Sequence, residues 1–159
     1  MNKQKIKLIT VNSLIFGAIL GFIGLIPFSY IYIFTAILMA VVSSVVVTIF
    51  MEQKKQIGEL TIKGGAILGA YIGFISMIGY IIVNLPINAL FSLIFNYYSP
   101  AAGLLSIWWL LIIMIGLITG LFNSFSLIAY VYVKDTFFMI EGKKEIKGVF
   151  KVKDRNNGV

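Results

Sequence analysis

The fold is decided by residues 64–133, a stretch that begins GGAILGAYIGFISMIGYIIV at position 64 and ends LIAYVYV at position 133. It contains no charged side chain, and a second charge-free stretch covers residues 8–51. A helix of roughly 20 residues crosses a hydrocarbon core about 30 Å thick, so each stretch is long enough for two crossings. We therefore predict an all-α, polytopic integral membrane protein with four transmembrane helices.

The composition supports a membrane protein and excludes several kinds of chemistry. Hydrophobic residues make up 60% of the 159 residues and charged residues only 12%, which is far from the composition of a soluble domain. The chain has neither Cys nor His, which excludes disulfides, thiolate nucleophiles, Cys/His zinc sites and imidazole bases. We expect no enzyme activity, no catalytic residue, no cofactor and no bound metal ion.

Proline and polar residues divide the two charge-free stretches. Pro27 is a helix-breaking residue in the first stretch, and two prolines lie between positions 84 and 103 of the second. The predicted transmembrane domain is residues 1–133, followed by a basic tail at 134–159. Its four spans, numbered 1 to 4 in chain order, are residues 8–26, 30–51, 64–83 and 104–133.

The positions of the charges predict the orientation. All thirteen basic residues lie in the N-terminal segment, the 52–63 loop or the tail, and the net charge is +7. The positive-inside rule then predicts that both termini are cytoplasmic. The alternative, a cleaved secretory signal peptide, lacks an Ala-x-Ala-like site after the first apolar stretch. Abundant Ile, Lys, Asn and Phe are typical of AT-rich bacteria or archaea, so we expect a prokaryotic cell membrane.

Glycines recur four residues apart in three of the predicted spans. Residues at this spacing share one helix face, and small residues there allow two membrane helices to approach closely. We predict helix packing at these glycines, either within one chain or between copies: Gly17, Gly21, Gly24, Gly65, Gly69, Gly73, Gly116 and Gly120. The pentapeptide GAILG occurs at 17–21 and 65–69, through either chance or a duplicated hairpin with an axis along the membrane normal.

Two segments of the chain lie outside the predicted spans. Residues 86–96 begin with a proline and carry apolar residues at helical spacing, so we predict a short helix lying on the outer membrane surface or, alternatively, a re-entrant segment. The tail alternates loosely between apolar and basic residues, which suggests a small β-hairpin. Its basic side chains are expected to contact anionic lipid head groups rather than nucleic acid: Lys143, Lys144, Lys147, Lys151, Lys153 and Arg155.

The spans contain neutral polar residues but no ionisable one of the Asp, Glu, Lys or Arg type. Such residues form interhelical hydrogen bonds in membrane proteins, and they can also line a path for a solute. The candidates are Asn12, Thr48, Ser76, Thr119, Asn123 and Ser124. The first functional hypothesis is therefore a structural or assembly subunit, forming a homo-oligomer or joining a larger membrane complex. The alternative is a small channel or uncoupled transporter subunit with a path lined by Asn, Ser and Thr.

Overall fold

The computed structural model describes residues 3–26, 29–58, 60–95 and 108–156. All regular structure in these residues is helical. The helices are α1 Lys3–Ile23, α2 Ser29–Ile37, a π-helical segment Leu38–Val42, α3 Ser43–Gln53, α4 Ile62–Phe95 and α5 Trp108–Asn156. Four helical stretches in the described residues are long and apolar enough to span a membrane, namely Lys3–Ile23, Phe34–Gln53, Ile62–Phe95 and Ile113–Phe137. The prediction of an all-α chain with four such helices is confirmed.

Local hydrogen bonds fix the loop between α3 and α4. After α3, Lys55 adopts a left-handed conformation with a φ of 54°, and the backbone amide of Gln56 donates to the carbonyl of Met51. This is the geometry of a Schellman C-cap, in which Gly is the usual residue. At the start of α4, the Thr61 hydroxyl accepts a hydrogen bond from the backbone amide of Gly64 at 3.1 Å. Thr61 is thus the N-cap, and α4 begins two residues before the predicted span.

The central helix of the bundle is α4, which packs against α1 on one side and α5 on the other. Gly17 and Gly21 of α1 lie against Ser76 and Tyr80 of α4, so these two helices run parallel. Glycines of α4 contact progressively earlier residues of α5, so this pair is antiparallel. The start of α1, the 54–63 loop and Lys134 consequently lie at one end of the bundle, which we term the basic end.

Small polar side chains share the interior of the bundle with apolar ones, and large apolar side chains cover its outside. Among the described residues nine polar ones are buried, including Ser13, Ser43, Ser44, Thr48 and Asn123. Leu, Ile and Phe side chains are exposed along the outer faces of all the long helices. A protein surrounded by water exposes more polar and charged side chains on its outer faces, whereas this apolar outer surface is compatible with a multi-pass membrane protein.

The two GAILG segments are not at equivalent depths. Gly17 is level with Ser76, whereas Gly65 lies eleven residues earlier in α4. Eleven helical residues correspond to about 16 Å along the axis. An axis along the membrane normal would place the two segments at one depth, and the helix contacts do not have that symmetry.

The separate surface helix predicted at residues 86–96 is not present as such, because α4 continues through Pro86 to Phe95. Proline removes one backbone hydrogen bond, and transmembrane helices tolerate this loss. The side chain of Asn84 holds this part of α4 against α1 through a 3.1 Å bond to the carbonyl of Gly21. At about 1.5 Å per residue, the 34 residues of α4 extend about 51 Å, well beyond a 30 Å hydrocarbon core.

The predicted β-hairpin in the tail is also wrong. The backbone of α5 stays helical from Trp108 to Asn156, past the end of the predicted span at residue 133. A helix satisfies its backbone hydrogen bonds locally, whereas a lone two-stranded hairpin is marginally stable in water. The tail is also rich in Lys, which favours helices.

Candidate functional site

The most connected polar residue in the described chain is Asn123, which α5 places fully buried between the other helices. Its Oδ1 accepts a hydrogen bond from the Ser43 hydroxyl at 2.9 Å and one from the Ser44 backbone amide at 2.8 Å. The Ser44 hydroxyl also donates to the backbone carbonyl of Asn123 at 2.9 Å. These bonds join α3 to α5 at one point.

The amide nitrogen of Asn123 points to the π-helical segment. It donates to the carbonyl of Met39 at 2.9 Å and to that of Ala40 at 3.0 Å, and the carbonyl of Thr119 lies 2.9 Å away within α5. Carbonyls only accept hydrogen bonds, and the Ser44 amide only donates, so this arrangement fixes which way the Asn123 amide faces. Both ends of the amide are satisfied by protein groups.

The π-helical segment explains why two backbone carbonyls are available to a side chain from another helix. A π-turn widens the helix and disturbs the regular pattern of backbone bonds, and such turns are often found at functional sites. Here the Asn123 amide bonds the widened turn. The sequence of the segment, LMAVV, contains no Gly or Pro that would disrupt an α-helix by itself.

Two glycines of α4 complete the site. A Cβ atom built on Gly69 would lie 2.5 Å from the carbonyl oxygen of Asn123, and one on Gly73 would lie 2.8 Å from its amide nitrogen. Both distances are too short for a real Cβ atom, so only glycine allows α4 to approach Asn123 this closely. We call Asn123, Ser43, Ser44, the carbonyls of residues 39, 40 and 119, and Gly69 and Gly73 the Asn123 node.

Apolar clusters lie on both sides of the Asn123 node along the bundle. The cluster toward the basic end includes Ile9, Met51, Leu68 and Leu127, and the cluster on the far side includes Leu20, Met39 and Tyr80. Asn123 lies eleven residues from Lys134, or about 16 Å along α5, close to half the thickness of a hydrocarbon core. The Asn123 node therefore lies in the middle of the bundle, between two apolar layers.

The remaining predicted packing glycines also lie against neighbouring helices. Gly17 faces the carbonyl of Ser76, and Gly21 faces that of Tyr80, both across the α1–α4 contact. The others, with the atoms that a Cβ would meet, are Gly24 (Tyr80 Oη, 2.8 Å), Gly65 (Val131 Cγ2, 3.2 Å), Gly116 (the Phe74 ring, 2.9 Å) and Gly120 (the Ala70 carbonyl, 2.9 Å). All these neighbours belong to the same chain.

The six candidates for a polar path are not brought together in one place. Thr119 and Asn123 belong to the Asn123 node, and Ser124 lies against Gly69. The hydroxyls of Thr48 and Ser76 are buried without a hydrogen-bond partner in the described residues. Asn12 lies on α1 and is half-exposed. The predicted lipid-contacting side chains of the tail lie outside the side chains that the structure describes: Lys143, Lys144, Lys147, Lys151, Lys153 and Arg155.

A second polar cluster, which was not predicted from the sequence, lies at the basic end. One carboxylate oxygen of Glu52 accepts hydrogen bonds from Lys134 Nζ at 2.8 Å and from the Tyr130 hydroxyl at 2.9 Å. Lys54 Nζ lies 4.1 Å from the centre of the Phe50 ring, a cation–π contact. The Glu52 bonds join α3 to α5 at the basic end, whereas the Lys54–Phe50 contact lies within the C-terminal turn of α3. Within the described side chains, no three His, Cys, Asp or Glu residues are grouped to hold a metal ion.

Fold and site together define a helical chain with four potential membrane spans and a closed polar node in its interior. Comparisons with protein families, curated proteins and solved structures found no match for this chain.

Proposed function

We propose that this chain is a non-catalytic structural or assembly subunit of a prokaryotic cell membrane, with both termini cytoplasmic. The observation that carries the proposal is the complete pairing of the Asn123 amide with groups of the same chain. A polar group that bound a passing solute would need at least one free hydrogen-bonding position. The amide at the centre of this bundle instead bonds α5 to α3 and the π-helical segment, and the glycines of α4 pack against it.

The orientation and the lipid partner follow from the basic end. Basic residues near a bilayer surface favour the cytoplasmic side and anionic head groups. Lys3, Lys5, Lys7 and the lysines of the 54–63 loop would meet these head groups directly, and the helical tail would add the lysines beyond residue 140. Limited trypsin digestion in nanodiscs tests this, because anionic lipid should slow cleavage of the tail relative to neutral lipid.

A channel or uncoupled transporter is the second candidate, because the buried hydroxyls of Thr48 and Ser76 have no partner in the described residues. A buried hydroxyl without a partner is costly, and a passing water or solute could supply the missing bond. This candidate predicts passage of small neutral molecules, because the spans contain no charged group that would stabilise an ion.

Reconstitution separates the two candidates. Purified protein in vesicles would be tested by stopped-flow light scattering for water, urea and glycerol, with a known glycerol channel as the positive control. If the chain is a structural subunit, vesicles that contain it should be no more permeable than protein-free vesicles. Extraction of native membranes into polymer nanodiscs should then give particles that contain more than one chain or a partner. Permeability above background that changes in Thr48→Val or Ser76→Ala would favour the transporter and contradict the structural subunit.

A further inference from the structure

The outer face of α1 carries a regular seam that no part of the described chain covers. Ile15, Ile19 and Phe22 are 53%, 51% and 58% exposed, and the exposed Leu8 and the partly buried Asn12 continue the same line toward the basic end. The spacing from Leu8 to Phe22 is four, three, four and three residues, which is the heptad pattern of a helix pair. The opposite face of α1, with Ile9, Ser13 and Gly17 among its residues, is buried in the bundle.

Asn12 is the one polar residue within this seam. No hydrogen bond to its amide is found in the part of the chain that the structure describes, although its neighbours Thr10 and Ser13 both have partners. Asn12 lies five residues, or about 7 Å, deeper than Lys7 along α1. An amide facing hydrocarbon at this depth lacks water and requires a partner.

We infer that α1 pairs with α1 of a second copy of this chain, with the two Asn12 amides bonded to each other across a two-fold axis. An amide carries donors and an acceptor, so it is complementary to a copy of itself, and a two-fold interface places equivalent residues together. Copies inserted in one orientation have parallel α1 helices, and a single Asn in such a seam fixes the register. The seam from Leu8 to Phe22 is uncharged, so pairing places no charge in the bilayer.

This inference rests on the proposed structural function and names its partner. The glycine faces are occupied by contacts within the chain, and among the exposed apolar faces the seam on α1 contains an amide without a partner in the described residues. The three lysines at the start of α1 would be brought near one another, but they lie at the end of the helix, where water and salt screen their repulsion.

Disulfide cross-linking in the membrane tests the seam, since the natural chain contains no cysteine. Ile15→Cys and Ile19→Cys should form covalent dimers upon oxidation with copper phenanthroline, because a disulfide requires Cα atoms within about 7 Å. Ile118→Cys on α5 is the matched control, since Ile118 is 54% exposed, and it should remain monomeric. Equal dimer formation by Ile118→Cys would overturn the inference.

The role of Asn12 is tested in the same assay. Asn12→Leu should weaken association about tenfold and reduce the Ile19→Cys dimer, whereas Asn88→Leu on α4 should leave it unchanged. Thermal unfolding of each variant checks that the fold is intact, and fluorescence energy transfer between labelled chains in vesicles measures association without a cross-link. An unchanged dimer in Asn12→Leu would contradict the pairing. If no α1 dimer forms and the vesicles are not permeable, only the pairing is wrong and the structural function stands. If the vesicles are permeable, the structural function is wrong whether or not the dimer forms.

Discussion

Replacing Asn123 by Ala should destabilise the protein more than the same change at any other described asparagine. The substitution removes four hydrogen bonds to the second helical stretch, to the Ser43 hydroxyl, the Ser44 amide and the carbonyls of Met39 and Ala40. Such bonds in membrane proteins average roughly 0.6 kcal/mol each, with a maximum near 1.7 kcal/mol. The expected loss is therefore about 2–4 kcal/mol, including the cost of leaving buried carbonyls unpaired.

The measurement is the free energy of unfolding in mixed micelles during an SDS titration, followed by circular dichroism. Asn88→Ala is the matched control, because the Asn88 amide bonds to Asn84 within the same helix. Its effect should stay below about 1 kcal/mol. A double-mutant cycle of Ser43→Ala with Asn123→Ala should give a coupling energy of about 0.6–1.7 kcal/mol. Similar losses for Asn123→Ala and Asn88→Ala, or zero coupling, would refute the structural role of the Asn123 node.

Three further predictions concern packing, the α3 cap and orientation. Gly69→Ala should lower the free energy of unfolding by about 1–3 kcal/mol in the same titration, because the added Cβ meets the Asn123 carbonyl. Gly58→Ala, whose Cβ would have no atom within 4 Å, should change this free energy by under about 0.5 kcal/mol. Lys55→Gly should raise the midpoint of unfolding by relieving about 1 kcal/mol of left-handed strain, and a lower midpoint would contradict the cap geometry. A cysteine at Ser29 or Ser99 should react with an impermeant thiol reagent added outside intact cells, and reaction of Gln56→Cys instead would reverse the orientation.

The helices could be predicted from the sequence because lipid imposes a simple requirement. Residues 8–51 and 64–133 carry no charge, and a charge in hydrocarbon is costly enough to mark the limits of each span. Glycine spacing identified positions of close approach, among them Gly69 and Gly73, but it could not identify the neighbour. Their shared neighbour, Asn123, is about fifty residues further along the chain.

The π-helical segment could not be predicted, because its cause is tertiary. Nothing local in LMAVV favours a π-turn, and its carbonyls are bonded by Asn123, more than eighty residues later. The distance of a residue from the charged end of its helix partly indicates which residues are neighbours. Ser43 lies nine residues from Glu52 and Asn123 lies eleven from Lys134, so both are at similar distances from the basic end. Pro86 led to the wrong prediction of a separate helix, because the sequence does not distinguish a proline in the first turn of a helix from one inside it.

The reactivity of a cysteine at position 43 tests most directly whether the polar interior is closed. Ser43 is fully buried against Asn123, so Ser43→Cys should not react with a small water-soluble methanethiosulfonate in native membranes, while Gly58→Cys in the loop after α3 should react readily, because Gly58 is exposed. Intact unfolding transitions in both variants would establish that the comparison refers to folded protein. Reaction of Ser43→Cys at a rate close to that of Gly58→Cys would mean that water reaches the Asn123 node and that the polar interior is not closed.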